Sequence, residues 1–154
     1  MTRLEVSLAQ GTGLISKGIS WFSAGRLSHA DLVMPNHTLL GARTDGGVQA
    51  RPGNYLGTTT RWVFSKEVSG EQAFEVYRYA YKQINKKYDH LAILAFVTNR
   101  DWREDDCWFC SELVAACLEV GGVINELWQP LNKITPVMLA VILSADGWSY
   151  NRVN

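Results

Sequence analysis

The hydrophobic period of the chain changes once, near residue 70, and that change limits the fold more than any other feature. Before it, apolar residues recur at every second position: Leu4, Val6 and Leu8 run up to Gly11 and Gly13, and Ala30, Leu32 and Met34 alternate with His29, Asp31 and Val33 before a Pro35-Asn36 turn. Residues 38–42, 47–50 and 61–65 extend this run of short strands, with one helical stretch expected over 14–22. After residue 70 the period is helical. Phe74, Tyr77, Tyr81 and Ile84 form one apolar stripe beginning at Glu71, and further helices are expected over 91–97 and 110–120. Gly121-Gly122 stops the second of these, and Thr135-Pro136 opens a last helix as cap and first-turn proline. Strands followed by helices predict a single α+β domain over residues 1–154, an antiparallel sheet packed against helices.

Composition fits one such domain. The 154 residues are 47% hydrophobic and 19% charged, enough apolar material for a core and too little charge for disorder. Fifteen basic residues against fifteen acidic ones leave no net charge, which argues against nucleic-acid partners and a polybasic membrane anchor. Glu5 interrupts the place where a signal peptide would begin its apolar run, and no stretch is long enough to span a bilayer. The expectation is a cytoplasmic protein without integral membrane association, although phage- or lysis-associated delivery to a cell wall would need no signal of its own. Three cysteines, an odd number, make a disulfide framework improbable.

Each thiol then needs another explanation. On a helix beginning near Cys110, the residues Cys110, Leu113, Val114, Cys117 and Leu118 share one stripe. Cys117 reads as a small buried hydrophobe. Cys110 differs, because it stands at the positive end of the helix, close to backbone N–H groups without intrahelical partners. A free thiol, with a pKa of about 8.5, is mostly protonated at neutral pH and needs a base beside it. Of His29, His37 and His90, His29 is the best placed, since a strand under a helix presents an imidazole rigidly. His37, beside a turn, and His90, at a helix start, read as structural. The residues Glu104, Asp105 and Asp106 would oppose a thiolate if buried near it.

The motifs Gly13-Leu-Ile-Ser16, Ser28-His29, Gly47-Val48, Arg51-Pro52 with Tyr55, Tyr88-Asp89, Cys110-Ser-Glu-Leu-Val114 and Ile134-Thr-Pro136 together resemble the circularly permuted, papain-like branch of the NlpC-type superfamily. YiiX-like proteins and, more distantly, lecithin retinol acyltransferase belong to that branch. The resemblance spans nearly the whole chain and implies a permuted papain-like fold in which the cysteine follows the histidine, here by 81 residues. It further implies a thiol hydrolase or acyltransferase acting on an amide or ester of a peptide or lipid-type substrate, with Cys110 as nucleophile and His29 as general acid/base. No metal and no cofactor is expected.

The third, imidazole-orienting residue is where this chain departs from the pattern, because Gly41 occupies the position that relatives fill with a polar side chain. A two-residue turn at Pro35-Asn36 sets Ala42 opposite His29, with Leu40 and Thr44 on the same face, whereas one more loop residue substitutes Gly41, Arg43 and Asp45. Asp45 is taken as the third member, with Thr44 and Asp31 as alternatives. Two other classes stay open: a non-catalytic binding or assembly module of the same fold, and a thiol redox protein using Cys107-Trp-Phe-Cys110 as a C-x-x-C pair. The same two cysteines lack a second C-x-x-C for a zinc site. The scattered tryptophans read as packing, with Trp108 and Phe109 able to wall a cleft.

Overall fold

The computed structural model describes residues 1–10, 26–57, 59–89 and 107–153. The expected helices over 14–22 and 91–97, together with His90 and residues 104–106, lie outside them. In chain order the strands are β1 (Thr2–Ala9), β2 (His29–Val33), β3 (Leu39–Arg43), β4 (Gly47–Arg51) and β5 (Arg61–Val68). Then follow α1 (Gly70–Lys82), the two-residue strands β6 (Lys87–Tyr88) and β7 (Cys107–Trp108), α2 (Cys110–Val120), α3 (Pro136–Ala145) and β8 (Ser149–Val153). Six strands form one antiparallel sheet in the order β4-β3-β2-β1-β5-β8, and β6 pairs in parallel with β7. This is an α+β architecture. No helix among the described residues is long and apolar enough to cross a membrane.

Directly opposed residues of antiparallel strands share a face. The pairs Val6–Leu32, Leu32–Leu40 and Val6–Phe64 therefore draw one apolar row across the sheet. That row joins Leu4, Leu8, Ala30, Ala42 and Val48 in a single buried cluster with Leu113, Val114, Leu118, Leu139 and Leu143. Helix α2 is the centre of this core: every residue from Cys110 to Leu118 is buried, Ser111 and Glu112 included. It is thus apolar around most of its circumference, as a helix enclosed by sheet and helices must be. Ser111 satisfies its hydroxyl by donating to the Ile134 carbonyl at 2.5 Å. Thr135 caps α3 by accepting from the Met138 N–H at 3.1 Å.

Two sequence expectations need correction. The apolar stripe of α1 is Ala73, Val76 and Ala80, continuing to the buried Gln83, whereas Phe74 and Tyr81 are 63% and 49% exposed. The reason is close approach. A Cβ added at Gly121 would lie 2.3 Å from Val76 Cγ2, so only small side chains fit where α1 crosses the end of α2. The second correction is β8, a strand absent from the sequence reading, whose Ser149, Tyr150, Asn151 and Arg152 are all exposed. It closes the sheet at β5, with no apolar alternation to announce it.

Candidate active site

His29 opens β2 and Cys110 opens α2, and these two ends meet. The sheet holds β2 between β1 and β3, and α2 packs against both β2 and β3. The two side chains lie close enough that Cys110, as a hydrogen-bonding group and by its charge when ionised, favours the protonated imidazole. Tyr88 stands close by: burial, then the Cys110 and Asp89 charges, push its phenol well above the usual tyrosine range. The thiol and the imidazole, 81 residues apart in sequence, are therefore neighbours. Both are enclosed, with Cys110 1% exposed and His29 9%.

Behind His29 lies Asp31. Its Oδ1 is 2.9 Å from His29 Nε2, and its Oδ2 accepts from the Tyr55 hydroxyl at 2.7 Å. The Tyr55 oxygen is itself 2.9 Å from His29 Nε2. With Nε2 committed as donor to these oxygens, Nδ1 is the ring nitrogen left for Cys110. The electrostatics follow the same lines. Burial opposes a charged His29, but the Asp31 carboxylate, with its hydrogen bond and the contribution of Cys110, outweighs it and raises the imidazole pKa to about 10. Burial likewise opposes ionised Asp31, yet His29, the Tyr55 hydroxyl and Arg51 hold its carboxyl below the usual range.

Gly41 explains how Asp31 fits. The register Leu32–Leu40 and Val33–Leu39 continues to set Asp31 opposite Gly41. A Cβ at position 41 would fall 2.0 Å from Asp31 Oδ1 and 3.0 Å from the Ala30 carbonyl. The glycine that cannot orient an imidazole is the vacancy filled by the carboxylate that does. Asp31, one of the two alternatives read from sequence, makes the contact expected of the third member. Asp45 does not: it lies in the exposed β3–β4 turn, 2.9 Å from Arg43 and 3.9 Å from Arg51, beside an exposed Thr44. The turn carries the extra residue that puts Asp45 on the His29 side in principle, but β3 has ended before Asp45 and the carboxylate turns back onto Arg43. His37 sits in the β2–β3 turn with a left-handed φ of 62°.

The sequence reading quoted Tyr55 without giving it a role. Its ring lies under two guanidinium groups, 5.2 Å from Arg43 and 5.8 Å from Arg51, at cation–π distance. Arg51 in turn donates to the Gly41 and Gly47 carbonyls, tying the loop after β4 to the strand beside Asp31. The C-x-x-C motif takes another form than a redox pair requires. Cys107 lies in β7 and Phe109 is extended, with φ −88° and ψ 151°. Three extended steps of about 3.3 Å separate the two cysteine Cα atoms by roughly 10 Å, beyond the ~7 Å a disulfide spans. No disulfide joins them.

At the start of α2, Glu112 returns its carboxylate to the Phe109 N–H at 3.2 Å, fixing the turn that presents Cys110. The chain matches no family model and no curated protein. Its fold is similar to that in the crystal structure of the metalloprotein yiiX from Escherichia coli O157:H7, a DUF1105 protein, with a TM-score of 0.68 at 18% identity. The likeness covers 99% of this chain and 96% of that one.

Proposed function

We propose that this protein is a thiol hydrolase or acyltransferase of permuted papain-like type, cleaving an amide or ester through a Cys110 thioester. The single observation that carries this reading is the His29–Cys110 pair, backed by Asp31 and placed at a helix N-terminus. A cysteine beside a protonated imidazole attacks as one half of an ion pair. In the proposed cycle, Cys110 Sγ bonds to the substrate carbonyl carbon, and the charge developing on its oxygen meets the N–H groups opening α2. The tetrahedral adduct collapses as His29 gives its proton to the departing amine or alcohol, leaving a thioester. Water or an acceptor hydroxyl or amine then yields its proton to His29 as it adds to the thioester carbonyl, and the adduct expels the Cys110 sulfur as thiolate, restoring the thiolate–imidazolium pair. Asp31 keeps the ring in the tautomer that both steps use. Cell-wall peptides and lipid amides or esters are the substrate classes this chemistry serves.

A metal-dependent mechanism, as the metalloprotein neighbour would suggest, has less support. No three His, Cys, Asp or Glu side chains among the described residues stand as a ligand set, and both Asp31 oxygens are already engaged by His29 and Tyr55. One observation favours a non-catalytic binding module instead: the 1% exposure of Cys110. Intact-mass spectrometry after incubation with a p-nitrophenyl acyl ester separates the two. The expected result is a single acyl adduct on Cys110, absent from Cys110→Ser and slowed by roughly 100-fold or more in His29→Ala. No adduct, with Cys110 alkylated by iodoacetamide no faster than free cysteine, overturns the hydrolase reading.

A further inference from the structure

We infer that Tyr55 is a positioning residue for His29, its hydroxyl completing with Asp31 a closed triangle that fixes the imidazole. The inference rests on the proposed chemistry for its purpose but on geometry alone for its substance. All three edges are hydrogen-bond distances: His29 Nε2 to Asp31 Oδ1 at 2.9 Å, His29 Nε2 to the Tyr55 oxygen at 2.9 Å, and the Tyr55 hydroxyl to Asp31 Oδ2 at 2.7 Å. A carboxylate on one short side chain leaves an imidazole free to pivot about a single bond. A second oxygen at the same nitrogen, itself pinned to the far side of that carboxylate, removes the pivot.

The phenol suits this task because it stays protonated. Burial, and then the Asp31 charge, raise its pKa above the usual tyrosine range, which keeps the hydroxyl proton available to Asp31 at neutral pH. Its anchorage is also on the page. Asn54 and Pro52 accept backbone bonds from Gly57 and Tyr55 at 2.9 Å each, folding residues 52–57 into consecutive turns, and Arg43 and Arg51 lie against the ring. A residue present only for packing would not need its hydroxyl held between two partners.

The titratable and charged groups around the triangle are His29 and Cys110 from β2 and α2, Arg51 from β4, and Arg43 from β3 against the phenol ring. None of the four changes in Tyr55→Phe, which keeps the ring and loses the hydroxyl. In this variant the His29 side-chain 15N resonances, followed by NMR against pH, should report the Asp31 inflection about one pH unit higher than in the wild type. That is the scale of one lost charge-assisted hydrogen bond. The His29 Nε2–H resonance should exchange faster with solvent. Incorporating 3-fluorotyrosine at position 55, a stronger donor of the same shape, should move the inflection the opposite way and keeps the idea testable if Tyr55→Phe does not fold. Unchanged ring shifts and an unchanged inflection in either substitution would refute the inference. These readouts need no turnover, so they stand apart from the fate of the hydrolase reading. If Cys110 does form an acyl adduct, its rate in Tyr55→Phe should fall by about tenfold.

Discussion

Replacing Gly41 by alanine adds one methyl group and should do disproportionate damage. The new Cβ would stand 2.0 Å from Asp31 Oδ1, against an ordinary carbon–oxygen contact of about 3.4 Å. It cannot retreat, because the Ala30 carbonyl lies 3.0 Å away on the backbone. The carboxylate must therefore rotate off, giving up its 2.9 Å bond to His29 and its 2.7 Å bond to Tyr55. Breaking up a buried charge pair costs about 3–5 kcal/mol, while the glycine-to-alanine change in an extended strand returns roughly 0.5–1 kcal/mol. The balance, about 3 kcal/mol, corresponds to a fall in Tm of roughly 10 °C for a domain of this size. Thermal unfolding followed by circular dichroism at pH 6 measures it. The informative control is the pair Asp31→Ala and Asp31→Ala with Gly41→Ala. Once the carboxylate is gone, the alanine at 41 should cost almost nothing, so the two changes should be strongly non-additive. Additive losses, or a Gly41→Ala protein melting within about 2 °C of the wild type, would refute the claim that Asp31 occupies this space.

The raised His29 and lowered Asp31 also fix the sign of a pH dependence. The His29 contribution is complete below the ordinary histidine pKa of about 6.5 and is lost as pH climbs through about 10, while the Asp31 contribution is complete above about 3.9 and is lost as pH falls. Stability from the pair should therefore peak between about pH 4 and 6.5, and His29→Gln should flatten the alkaline decline in a Tm-versus-pH series. Ser111→Ala leaves the buried Ile134 carbonyl without its 2.5 Å donor and should cost about 1–3 kcal/mol in urea unfolding, with the m-value unchanged.

The meeting of Cys110 with His29 was legible because each position depends on local grammar: a cysteine at the first position of an apolar helix, and a histidine at the first position of an alternating strand. The third residue was not, because it depends on a vacancy. Reading Gly41 as a missing side chain directed attention beyond β3 to Asp45, when the opposed strand had already supplied the carboxylate at Asp31. Register decides this, and a turn's length is the part of a hairpin that sequence states least firmly. The α1 stripe was half legible, with Tyr77 and Ile84 packed at the edge of the core: aromatic residues at helical spacing look like a core face, but close packing against Gly121 puts Ala73, Val76 and Ala80 at its centre and leaves Phe74 and Tyr81 exposed. β8 escaped notice because an exposed edge strand has no buried face to alternate. Tyr55 was passed over because loop residues carry no periodicity, and its role comes only from where residues 52–57 fold back.

The placement of β1 between β2 and β5 bears on how the chain matures during synthesis. A ribosome releases the imidazole-bearing strand early and the sulfur-bearing helix 81 residues later, with α3 and β8 still to come, so a product truncated before residue 110 contains five of the six sheet strands but lacks Cys110 and the helix at the centre of the core. The His29–Cys110 pair can therefore come together only once translation has delivered the helix that also fills the protein's interior, which ties assembly of the candidate site to formation of the core.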